Sequence, residues 1–169
     1  MGEVADLPPD SSPLQIASEG VYKNKPFVVV GRIIYEYRQG GWNEWHVIFS
    51  DGVSGWVSEA QLEYAISFLT PPPGPLPKSE MVFRQNKFQW NGTEYEVMSI
   101  TQARYKGVEG ELPFEFWDKE EVTFVDLRTA DGRFGTIDYS GDEPLLFLGE
   151  AVEFEDLHLK NLREFEGWR

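Results

Sequence analysis

Segments 26–37, 44–50, 54–58, 62–69, 93–105, 121–129, 133–140 and 144–148 are rich in Val, Ile, Phe, Tyr, Trp and Thr, with Gly, Asp, Asn or Pro between them. Branched and aromatic side chains suit a pleated, half-buried surface, and punctuation roughly every ten residues leaves little room for helices. The pattern predicts an all-β chain of short antiparallel strands, arranged as a sandwich or as SH3-like barrels. At 169 residues the chain can bury about 70% of the surface it exposes when unfolded, so it needs no metal or disulfide staple. The C-terminal stretch VEFEDLHLKNLREF fits either a short helix or a last strand.

Two breaks divide the chain. Residues 1–13 are polar and rich in Pro, Ser and Asp, the composition of a disordered tail. The stretch TPPPGPLPKSE, 70–80, lacks the amides a ladder needs and reads as an extended connector. It separates a first β lobe, 14–69, from a second, 81–165. YKNKPFVVVGRIIYEY (22–37) and WNGTEYEVMSITQARY (90–105) share a layout of aromatic, polar turn, aromatic and long extended stretch ending in tyrosine. The segments around Asp51-Gly52 and Asp131-Gly132 align in the same frame, which puts Asp126 where the first half has His46. This self-similarity predicts two similar small lobes from an internal duplication. The second half has an additional segment, GVEGELPFEFWDKEE.

GGWNEWHVIFSDGVSGWVSE, 40–59, concentrates three tryptophans beside acids and a histidine. Side chains alternate along a strand, so Trp45, Val47 and Phe49 share one face and Glu44, His46 and Ile48 the other. With Asp51-Gly52 as a two-residue turn, Val47 faces Trp56, and Trp45, Val47, Phe49 and Trp56 form core. On the opposite face, Trp42, Glu44 and His46 offer an indole, a carboxylate and an imidazole, a floor suited to a cationic ligand. The structural alternative is a sheet face wetted by Glu44 and His46. In the added segment, Glu109 and Glu111 flank Gly110 ahead of Phe114, Phe116 and Trp117; paired acids suit cation binding or acid/base work, and a solvated acidic loop is the plainer reading.

Several chemistries are excluded or weakened. There is no cysteine, hence no disulfide, thiolate zinc site or cysteine nucleophile. His46 and His158 form no metal-binding pair, and no Walker loop, dinucleotide fingerprint or nucleophile elbow is present. No cofactor or metal is expected. A net charge of −14 repels phosphate backbones and anionic lipid and favours cations or basic proteins, so no nucleic-acid partner is expected. The N-terminal stretch has no basic start or apolar core and no segment is long enough to span a bilayer, which predicts a cytoplasmic placement without membrane insertion.

FVVVGRIIYEY, WNEWHVIFSDGVSGWVSE, QARYKGVEGELPF and VDLRTADGRFGTIDYS, in this order, resemble the bacterial family named domain of unknown function 4178, over roughly Leu14 to Arg163. Some members carry an N-terminal cysteine-rich zinc ribbon, which this chain lacks. The resemblance implies no catalytic residue. Members neighbour genes for polyamine-forming enzymes and for envelope-stress or membrane-remodelling proteins, implying an accessory role and favouring a cationic ligand. The expectation is a non-enzymatic binding or adaptor module that holds a polyamine or basic protein segment through Trp42, Glu44, His46, Glu109 and Glu111. The alternatives are a structural protein–protein interaction domain and an enzyme using Glu109 or Glu111 as acid/base.

Overall fold

A computed structural model describes residues 12–38, 40–61, 63–72, 74–82, 86–90, 92–113, 121–141 and 143–163. The elements are β1 (Glu19–Tyr22), β2 (Lys25–Tyr37), β3 (Gly40–Phe49), β4 (Ser54–Ala60), β5 (Glu63–Thr70), α1 (Ser79–Val82), β6 (Lys87–Trp90), β7 (Thr93–Gly110), β8 (Val122–Arg128), β9 (Arg133–Asp138) and β10 (Leu145–Val152), then a 3-10 turn at Phe154–Leu157. The chain is all-β, as the turn spacing predicts. The short strands β1 and β6 are not legible from composition alone, and the described part of the C-terminal stretch holds a short 3-10 helix at Phe154–Leu157 and an isolated bridge from Lys160 to Glu19.

The strands form one sheet in the order β1-β2-β3-β4-β5-β10-β9-β8-β7-β6, and β2 also pairs with β7. That pairing closes β2 through β5 and β7 through β10 into an antiparallel barrel of eight strands. Here the expectation of two small lobes needs correction: neither half closes on itself. The halves share two seams, β5 with β10 and β2 with β7. These seams satisfy backbone groups that would otherwise be open edges.

Barrel closure requires strands to bend, and bulges supply the bend. In β2, Val29 pairs with Val47 but Gly31 pairs with His46, leaving Val30 as the inserted residue. The insertion inverts the alternation: Phe27 and Val29 point outward, whereas Ile33 and Tyr35 point into the lumen. In β7, Met98 is inserted in the same way between Val97 and Ser99.

Both faces of the barrel wall are therefore packed. Outside β2–β5, Phe27, Val29, Trp45, Val47, Phe49, Val57 and Ile66 are buried beneath Leu14 and Leu157. The covering segments are sewn together: Arg163 N–H donates to the Pro13 carbonyl at 2.7 Å, and Ser18 Oγ donates to the Asn161 carbonyl at 2.9 Å. Residues 12 and 13 thus belong to the packed fold, while residues 1–11 of the expected tail lie outside the described residues. Outside β8–β10, Val125, Leu127, Ile137 and Leu146 pack beneath Val82 and Phe88. The proline-rich connector also lies on this side, where Leu76 meets the cluster and the Pro77 carbonyl accepts from Tyr139 at 2.7 Å.

Candidate functional site in the barrel lumen

An eight-stranded barrel has an interior just wide enough to be filled by side chains or to hold one small ligand. Here it retains a cavity of about 440 Å³, within the usual range for small-molecule sites. Every barrel strand contributes to its wall, through Tyr35, Glu44, Trp56, Ser67, Thr101, Asp126, Asp138 and Phe147 among others. Exposed Ala60 and Ser99 stand at its rim.

The first hairpin shows how the sequence sets this wall. Trp45 and Val47 have no exposure and Phe49 is 4% exposed, so that face is core, as alternation predicts. Trp56 is also buried, but on the other face. The loop is longer than a two-residue turn: Phe49 N–H bonds the Val53 carbonyl, and Val47 pairs with Gly55 rather than Trp56. A register slip of one residue reverses every side chain of a strand. Trp56 therefore pairs with His46, stacks on its ring at 5.0 Å and 30°, and faces the lumen.

Trp42 and Glu44 lie together in the cavity wall. Trp42 Nε1 donates to Glu44 Oε2 at 2.8 Å, and Ser58 Oγ donates to Glu44 Oε1 at 2.7 Å. The indole stacks on Tyr35 at 4.8 Å and meets Tyr37 and Phe124 edge-on at 5.4 and 5.7 Å. This is an aromatic box with a carboxylate at its edge. Burial pushes the Glu44 carboxyl up to about 7; the donors Ser58 and Trp42 oppose that rise, and the negative charges of Asp126 and Asp138 add to it.

Asp126 and Asp138 complete the acidic wall. Asp126 accepts from Ser99 Oγ and Thr136 Oγ1, each at 3.0 Å, and Asp138 accepts from the Ser140 amide at 2.8 Å. Burial raises both carboxyls above the ordinary aspartate value, against the pull of these donors. Neither residue stands out as a ligand group in the sequence, although the repeat frame gives Asp126 the position that His46 holds in the first half. Alternation within the repeat was the available signal. Among the described residues, no group of three or more His, Cys, Asp or Glu side chains is arranged to hold a metal ion.

His46 sits below the box, nearly buried at 4% exposure. Its Nδ1 lies 2.9 Å from the Glu111 carbonyl, which can only accept, so Nδ1 donates; Nε2 lies 3.2 Å from Ser54 Oγ. Glu111 thus reaches the lumen through its backbone, and the residue is exposed. Glu109 lies outside the barrel, 3.1 Å from Arg32 Nη1. Phe114, Phe116 and Trp117 lie outside the described residues.

Gly110 and Gly31 explain how this segment closes the barrel end. Gly110 has φ +68°, and a Cβ there would stand 2.2 Å from the Val30 carbonyl oxygen; a Cβ on Gly31 would stand 2.0 Å from the Glu111 oxygen. Both approaches require glycine. Leu112 then packs against the lumenal cluster. Gly31→Ala is expected to destabilise the protein by about 1–3 kcal/mol, the usual range for overpacking, measurable as a shifted denaturation midpoint at unchanged slope.

The other buried charges have structural partners. Glu59 accepts from Asn43 Nδ2 at 3.0 Å, Trp45 Nε1 at 3.1 Å and Tyr64 Oη at 2.8 Å. Arg32 lies over Trp45 at 4.6 Å and donates twice to Asn43 Oδ1. Asn43, Trp45 and Arg32 thus tie β2, β3 and β4 together on the outer face.

Comparison with known proteins gives a match over residues 15–154 to the family model described as "Domain of unknown function (DUF4178)". No curated protein and no solved structure matches the chain.

Proposed function

Because the chain belongs to the DUF4178 family, whose description assigns no activity, we propose from the lumen itself that the barrel is a binding module for a small organic cation. The observation that carries this reading is the composition of the wall. Glu44, Asp126 and Asp138 face a cavity boxed by Trp42, Tyr35 and Phe124, and no lysine, arginine or histidine is among its described lining residues. Aromatic faces attract desolvated ammonium groups by about 2 kcal/mol, and a carboxylate adds direct charge attraction. Polyamines fit because their ammonium groups are spaced along an apolar chain, matching separated carboxylates and apolar rings.

The wider reading is an accessory module of a bacterial cytoplasmic system. Among the described residues no helix is long and apolar enough to cross a membrane. Descent of the halves from one duplicated unit is supported by the strand order, by the matching bulges at Val30 and Met98, and by the lumenal placement of both His46 and Asp126.

Calorimetric titration with spermidine at physiological salt tests the binding site. Glu44→Gln and Asp126→Asn should each weaken binding by about tenfold or more, the cost of removing one partner of a charge pair. Glu109→Gln and Glu111→Gln remove carboxylates outside the lumen and should leave the affinity unchanged. Absence of binding, or equal losses in all four variants, overturns the reading.

A further inference from the structure

Resting on the lumenal cation site, we infer that it exchanges protons for its ligand: a cation entering the barrel expels a proton from Glu44, so occupancy rises with pH through the neutral range. The geometry is a cavity of about 440 Å³ with carboxylates on opposing walls, not an exposed acidic patch. Glu44 projects from β3. Asp126 and Asp138 project from β8 and β9, where Asp126 pairs with Thr136, so the two aspartates stand at diagonal positions about 7–8 Å apart.

What faces these carboxylates decides the electrostatics. From β2 come Tyr35 and Tyr37, from β7 Tyr105, and from β3 itself His46, whose ring is engaged with Glu111 and Ser54. From β4, β5 and β10 come Trp56, Ser67 and Phe147, which carry no charge. Arg128, exposed on β8, lowers the Asp126 carboxyl but does not line the cavity. Trp42 and Ser58 donate to Glu44, and Ser99 and Thr136 to Asp126; these are neutral indole and hydroxyl groups that orient a carboxylate without neutralising it. Three negative charges in one partly dry space repel one another, and holding a proton relieves that repulsion.

Glu44 is the natural holder, since burial together with the charges of Asp126 and Asp138 brings its carboxyl up to about 7. An ammonium group in the aromatic box supplies the missing positive charge. The exchange balances simply: the neutral Glu44 carboxylic acid and a solvated ammonium ion become a carboxylate–ammonium pair, and one proton passes to water through the rim. No bond within the ligand changes.

Calorimetry of spermidine binding between about pH 5.5 and pH 7.5 reads this directly. The ligand's amines stay protonated over that range, and buffers of differing ionisation enthalpy report the protons released. We expect about 0.9 proton per ligand near pH 6 and about 0.2–0.3 near pH 7.5, with affinity about 20-fold weaker at the lower limit. In Glu44→Gln the proton count near pH 6 should fall by more than half. Binding without proton release, or release unchanged in Glu44→Gln, overturns the exchange while leaving the cation site standing. No binding by the native protein at any pH overturns both.

Discussion

Trp45→Ala is expected to lower the unfolding free energy by about 3–5 kcal/mol, whereas Trp42→Ala is expected to remove cation binding at a smaller cost to stability. The two indoles are three residues apart yet belong to different faces of β3. Trp45 has no exposure; it lies beneath Arg32 at 4.6 Å and donates to Glu59 at 3.1 Å. Its removal leaves a cavity under the terminal segments and deprives the buried Glu59 carboxylate of a donor. For a chain of this size each kcal/mol lowers the melting temperature by about 2–4 °C, so a loss of roughly 6–20 °C is expected. Trp42 is partly exposed and lines the lumen, where its loss removes the stacked face over Tyr35. Each aromatic pair contributes about 0.5–1.5 kcal/mol, which sets the smaller cost. Thermal unfolding monitored by circular dichroism, alongside spermidine titration of both variants, separates the roles. A Trp42→Ala variant that binds normally would remove the aromatic box from the account.

Glu44→Gln should stabilise the empty protein at about pH 8 and leave its stability nearly unchanged at about pH 4. In the unfolded chain this carboxyl titrates near its ordinary value of 4.5, whereas in the folded barrel burial raises it to about 7. Between those values the folded state holds the extra proton, so stability is greatest at the acid side and falls as pH rises through the window. Above about 7 the full cost is present, on the order of 3 kcal/mol at one pKa unit per 1.4 kcal/mol. Glutamine keeps an acceptor for Trp42 and can donate to Ser58 through its amide, without charge. Chemical denaturation of both proteins across this range should show curves that converge in acid and separate in base. Parallel curves would mean that Glu44 is solvated as an ordinary surface acid.

The fold was legible where contacts are local. Alternation placed Trp45, Val47 and Phe49 on a buried face, and turn residues marked the barrel strands to within a few positions. What escaped was non-local. The seams pair Ala65 with Ala151 and Tyr35 with Tyr105, residues far apart in the chain, and nothing in a strand's own composition names its distant partner. Closure then changed the meaning of the second face: Glu44 and His46, expected on a wetted sheet surface or ligand floor, became lumen. Trp56 shows a finer limit, because one additional loop residue moved it from beside Val47 to beside His46. Of the proposed ligand groups, Trp42, Glu44 and His46 converge on the barrel interior. Glu109 lies outside with Arg32, and Glu111 enters only as a carbonyl. Asp126 and Asp138 look like ordinary strand acids until the far wall is brought opposite Glu44.

Nitrogen-15 NMR of the tryptophan indoles during spermidine addition tests the lumenal site most directly, with each signal assigned by Trp→Phe replacement. The Trp42 indole, whose N–H points at Glu44, is expected to shift saturably while the Trp45 indole, turned outward onto Glu59, stays in place. A saturable shift at Trp45 with Trp42 unmoved would place the cation on the outer face and contradict the lumenal site.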